Sequence, residues 1–114
     1  MTTRPDKTSP AAIAGLNDAL RRGLCGGRVV LSAGVAALPE GQLRAVLQAV
    51  RSYEAFTPDN DPYGEHDFGS FEYASHRYCW KIDYYDPQFR FGSSDSANAD
   101  ITRRVLTIMR AEEY

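Results

Sequence analysis

From Asp67 to Asp83 the character of the side chains alternates at every second residue, and this period of two constrains the chain more than any other feature. With a four-residue reversal at Ala74, Ser75, His76 and Arg77, Tyr73 would face Tyr78, Phe71 would face Trp80 and Gly69 would face Ile82. One surface of the predicted hairpin is therefore aromatic and apolar. The other carries Phe68, Ser70 and Glu72 opposite Asp83, Lys81 and Cys79, and is mostly polar. A slip of one residue would turn every aromatic ring to the wrong side, so the parity of both strands is strongly specified.

The flanks follow a different period. Ile13, Leu16, Leu20 and Leu24 recur at helical spacing behind Ser9 and Pro10, with Asn17, Asp18, Arg21 and Arg22 assigned to the outer side and Gly23 as a stop. Arg28 to Ala33 holds the apolar run Val29, Val30 and Leu31, which predicts a short strand. Pro39 opens a second helix whose inner face is Leu43, Val46, Leu47 and Val50. After Pro87 and a Ser-rich connection at 92–97, Asn98 and Asp100 begin a last helix with Ile101, Val105, Ile108 and Met109 inward and Arg103, Arg104, Thr107 and Arg110 outward. The expected fold is α+β, in the order α-β-α-β-β-α, with three helices over a three-stranded, mostly antiparallel sheet. A flexible tail at 1–8 precedes a single domain at 9–114.

A chain of 114 residues can bury a core without metal or disulfide staples. No apolar run reaches the roughly 18 residues of a membrane span, and the N-terminus lacks the apolar centre of a signal peptide, so a cytoplasmic location is expected. Cys25 and Cys79 are then read as free thiols.

The net charge of −2 hides an asymmetry. Residues 1–51 sum to +4, residues 52–100 to −7 and residues 101–114 to +1. The acidic middle segment repels phosphates and attracts basic surfaces, which argues against direct nucleic-acid binding by its many aromatic rings. Asp59, Asp61, Tyr63, Glu65, Asp67, Tyr84, Tyr85 and Asp86 instead suit a protein interface: rings supply buried area and carboxylates select a basic partner.

Other chemistry fits less well. Asp59, Asp61, Gly64, Glu65 and Asp67 match part of a calcium loop, but Tyr63 and Ser70 occupy ligand positions and Pro62 stiffens the turn. The glycines at 23, 26 and 27 match no phosphate-loop spacing and are read as a turn. His66, between Glu65 and Asp67, could act as a general base or metal ligand, which is the alternative, enzymatic reading. No cofactor or metal is expected.

The segments Asp61-Pro-Tyr-Gly-Glu-His-Asp-Phe-Gly, Trp80-Lys-Ile-Asp-Tyr-Tyr-Asp86 and Thr102 to Tyr114 resemble a bacterial family of unknown function, number 3768. The resemblance implies a small accessory protein of the kind found on mobile elements, and assigns no catalytic residue. Together with the acidic segment it leads to an expected non-enzymatic inhibitor, monomeric or homodimeric. It would occupy the basic surface of a host defence nuclease complex, of anti-CRISPR or anti-restriction type.

Overall fold

A computed structural model describes residues 9–114. The expected tail at 1–8 lies outside the described residues. The hairpin forms as β2 (Phe68–Tyr73) and β3 (His76–Tyr85), paired antiparallel. Its reversal is tighter than the spacing predicts. Ala74 and Ser75 alone make the turn, at φ of 51° and 67°, so Tyr73 faces His76, Phe71 faces Tyr78 and Gly69 faces Trp80. Two consecutive positive φ values give a primed turn, whose twist matches that of the strands it joins. The register differs from the expected one by two residues, and the aromatic face is thereby preserved.

The expected last helix is a strand. β4 (Arg103–Arg110) lies antiparallel to β3, with Trp80 opposite Ile108 and Ile82 opposite Leu106. On its other side β4 pairs in parallel with β1 (Arg28–Leu31). The spatial order is β1-β4-β3-β2, a mixed four-stranded sheet in place of the expected three mostly antiparallel strands. Ile101, Val105 and Ile108 happen to fall at helical spacing, but Val105, Thr107 and Ile108 are β-branched and favour a pleated surface. The face of β4 that meets the helices carries Arg104, Leu106 and Ile108, every second residue, as a strand requires.

Three helices complete the α+β fold: α1 (Pro10–Gly23), α2 (Ala33–Ala36) and α3 (Glu40–Arg51). Leu20, Val35, Val46 and Val50 bring them onto Tyr78, Trp80, Ile82, Leu106 and Ile108. Each such fully buried large side chain contributes roughly 1.5–3 kcal/mol relative to exposure. Trp80 is central, and its indole occupies the space that a Cβ on Gly69 would need: such an atom would lie 2.4 Å from Nε1. Glycine is therefore required opposite this ring.

Two assignments to the outer side of the first helix are reversed. Asn17 and Arg21 are fully buried. Ser9 makes no side-chain cap, and the left-handed end of α1 falls on Leu24, whose N–H reaches Leu20 O at 2.7 Å. On the far face of the sheet, a 3₁₀ turn at Ala111–Glu113 folds back: Glu113 accepts from Ser32 Oγ at 2.6 Å and Gly34 N at 2.9 Å. Among the described residues no helix is long and apolar enough to cross a membrane.

Candidate functional site

The loop from Phe56 to Asp67 is held by its own turns before it meets anything else. Thr57 and Asn60 exchange side-chain to backbone hydrogen bonds, and Asp61 N donates to Thr57 O at 2.8 Å. Gly64 takes φ of 69°, and Gly64 N donates to Asp61 O. His66 then adopts φ of 57°, unusual for a residue with a side chain, and its N–H points at the Asp61 carboxylate.

That backbone reversal aims the His66 ring at α1. Nδ1 lies 3.0 Å from Asp18 Oδ1 and 3.1 Å from Oδ2, while Nε2 faces Asp61 Oδ2 at 3.7 Å. The ring stacks on Phe56, with centroids 3.9 Å apart and planes within 2° of parallel. Asp18 is shared with Arg21, which donates from NH2 at 3.0 Å and from NH1 to the carbonyls of Val50 and Arg51. The Arg21 guanidinium also lies over Phe56 and Trp80. A buried cation is thus paired, hydrogen-bonded and capped by rings, which offsets much of its desolvation cost.

A second chain of polar contacts leaves the same loop. Tyr84 Oη donates to Glu65 Oε1 at 2.9 Å and accepts from Asn17 Nδ2 at 2.9 Å. Asn17 Nδ2 also donates to Glu65 O, and Asn17 Oδ1 accepts from Arg104 Nε at 2.8 Å. Arg104 continues to the Ser96 carbonyl and lies over the Tyr84 ring. Burial pushes the Tyr84 phenol well above its ordinary value and lowers the affinity of Arg104 for its proton. Desolvation, with Glu65, Asp61 and Asp83 nearby, raises Asp67 above the usual carboxylate range.

The structure divides the residues singled out from sequence. Asp61, Glu65, His66 and Tyr84 converge on α1, with Asp67 partly buried beside them. Asp59 is exposed, and Tyr63 is 77% exposed at the loop tip. Tyr85 points to the opposite side of the sheet, against Phe89, because neighbouring strand residues alternate. Asp86 caps its own turn by accepting from Gln88 N and Arg90 N. His66 finds its carboxylates in Asp18 and Asp61, while Glu65 is engaged by Tyr84.

Asn17, Asp18, Arg21 and Arg104 are the residues missed from sequence. Asn17 and Arg21 follow Ile13 at four and eight residues, which places them in the buried stripe of α1, so helical spacing contained the signal. Arg104, 87 residues from its partner Asn17, had no local signal.

The model of a family described as a protein of unknown function, DUF3768, matches residues 31–113. The chain belongs to the DUF3768 family. The matched span holds β2, β3, β4 and the whole of the loop, while α1, which supplies Asn17, Asp18 and Arg21, precedes it. No curated protein and no solved structure matches this DUF3768 chain.

Chemically, a carboxylate on Nδ1 orients an imidazole as in many general bases. Here Nε2 faces a second carboxylate, and the hydroxyl of Thr57, which lines a surface cleft with His66, accepts from Asn60 N. The arrangement serves better as a clasp than as a proton acceptor. Among the described residues no group of three or more His, Cys, Asp or Glu side chains is disposed to hold a metal ion.

Proposed function

We propose that this DUF3768 protein is a non-enzymatic binding module that presents its Phe56–Asp67 loop to a basic protein surface. The observation that carries the reading is the contrast between the locked base of the loop and its tip. His66, Asp61 and Asp18 fasten the base, and Tyr63 projects at 77% exposure between Pro62 and Gly64. A preorganised loop gives up little conformational freedom on binding, and an exposed tyrosine is a favourable anchor.

The inward turn of Asp61 and Glu65 narrows the electrostatic part of this reading. Asp59 is the exposed carboxylate that would make direct contact, and Asp61 and Glu65 would contribute their field from within. The partner class remains a nucleic-acid-binding protein complex, such as a defence nuclease, whose basic groove would accept an acidic, aromatic loop.

The test is a pull-down from bacterial lysate with wild type, Tyr63→Ala and Asp59→Asn, followed by titration with the recovered partner at two salt concentrations. A partner held by the wild type, weakened about tenfold or more by Tyr63→Ala and sensitive to salt, supports the proposal. Equal affinity in all three proteins overturns it.

The Asp18–His66 contact favours one second reading, a small hydrolase with His66 as general base. It requires hydrolysis of simple ester or phosphoester substrates that disappears in His66→Gln while Tyr63→Ala retains it.

A further inference from the structure

At the end of the sheet where β1 and β4 begin, a cleft of about 410 Å³ is lined by Gly26, Gly27, Arg28, Phe89, Arg103 and Arg104, among others. No carboxylate lines it among the described residues. The topology accounts for the convergence. Arg28 is the Cα partner of Val105, so the parallel pairing sets Arg28 and Arg103 on the same face, two residues apart along β4. Arg104, on the opposite parity, closes the cleft from the side of Gly27, where a Cβ would lie 2.7 Å from Arg104 O.

The loop after β3 adds aromatic surface. Phe89 is held at φ of 57°, a strained conformation for a bulky side chain, with the Arg28 guanidinium 4.5 Å from its ring centroid. Two residues on, Phe91 is 68% exposed, with Arg90 over its ring. The nearby Asp86 carboxylate is occupied by the backbone N–H groups of Gln88 and Arg90. Among the described residues, Arg28, Arg90 and Arg103 form no salt bridge. The unneutralised guanidiniums of Arg28 and Arg103 beside the partly exposed Phe89 ring, in a cleft of nucleotide size, are the elements of a site for a phosphate joined to an aromatic base.

We infer that this cleft binds nucleoside phosphates, with the phosphate against Arg28 and Arg103 and the base against Phe89. This site is separate from the acidic loop and does not depend on the function proposed for it. The charge sums along the sequence concealed it, because Arg28 belongs to the first segment, Arg103 to the last and Phe89 to the acidic middle one. The same chemistry is offered by a single-stranded nucleic acid and by a free nucleotide.

The experiment is fluorescence anisotropy of the full chain with labelled ten-nucleotide oligothymidylate and oligouridylate, with competition by thymidine monophosphate and by inorganic phosphate. Affinity is expected to fall about sevenfold between 50 and 200 mM salt, the effect of two phosphates on a single strand. Arg103→Gln and Arg28→Gln should each weaken binding, and Phe89→Ala should weaken it about tenfold. Arg28 and Arg103 are exposed, so their variants control for misfolding, which circular dichroism would reveal. Competition by thymidine monophosphate at the same nucleotide concentration identifies a free nucleotide as the ligand; failure to compete identifies a strand, and either supports the site. Absence of binding to strands and mononucleotide alike overturns the proposal. So does binding unchanged in the three variants, or binding displaced by inorganic phosphate alone and indifferent to Phe89→Ala.

Discussion

The His66 imidazole meets the Asp18 carboxylate at 3.0 Å across 48 residues of chain, and this contact joins the loop to α1. His66→Ala and Asp18→Asn should each lower stability by about 1–3 kcal/mol, the usual cost of leaving a partly buried polar group unsatisfied. Their effects should be strongly non-additive, with a coupling of roughly 0.5–3 kcal/mol for groups in contact. Urea unfolding of the two single variants and the double variant measures this. Additive effects would mean that the loop is held by its own turns alone.

Asp67 and Glu113 should shape the pH dependence of stability in opposite directions. Burial raises Asp67, so above its folded value the ionised carboxylate opposes folding. This penalty shrinks as pH falls through the folded value and is gone below the ordinary 3.8. Asp67→Asn should therefore melt higher than wild type at neutral pH, with the difference vanishing in acid.

Glu113 is held below its ordinary value by hydrogen bonds from Ser32 Oγ, Arg110 N and Gly34 N. Its stabilising contribution is complete above 4.5 and is lost as pH falls through the lower, folded value. Glu113→Gln should melt below wild type at neutral pH and converge with it in acid. Melting curves across the same pH series distinguish the two variants, and parallel curves for either one would refute its assignment.

Gly69→Ala should disrupt the centre of the core. The added methyl would lie 2.4 Å from Trp80 Nε1 and 2.6 Å from Cε2, and Trp80 is fully buried with no space to retreat. Overpacking of this kind costs typically about 1–3 kcal/mol. The accompanying signature is a change in Trp80 fluorescence, reported without interference because it is the only tryptophan. An unchanged spectrum with unchanged stability would contradict the placement of the ring over Gly69.

The Ala74-Ser75 turn is strained by two positive φ values. Replacement by Asn-Gly, which adopts this turn readily, should stabilise the hairpin by about 0.4–1 kcal/mol. The midpoint of urea unfolding is the measurement. A loss of stability would indicate that the turn is of another type in solution.

Local chemistry was enough to identify α1, α3, β1 and the hairpin, because each carries its own period: Ile13 to Leu20, Leu43 to Val50, Val29 to Leu31, and Gly69 to Ile82. It also confined attention to the loop around His66, where aromatic and acidic residues crowd together. Arg103–Arg110 was misread because its apolar residues satisfy two periods at once, and strand pairing on both sides outweighed the helical spacing and the start signal at Asn98 and Asp100.

The sequence by itself determined the α+β class, the parity of the hairpin and the family, since these follow from short-range spacing and from residue identities. Only the tertiary structure decided which polar and charged groups meet. Asp18 reaches His66, Asn17 reaches Arg104, and Arg28 comes beside Arg103 through the pairing of β1 with β4. Such encounters depend on how distant segments pack to bury Trp80, Ile82 and Leu106, and no pattern within a single segment records them.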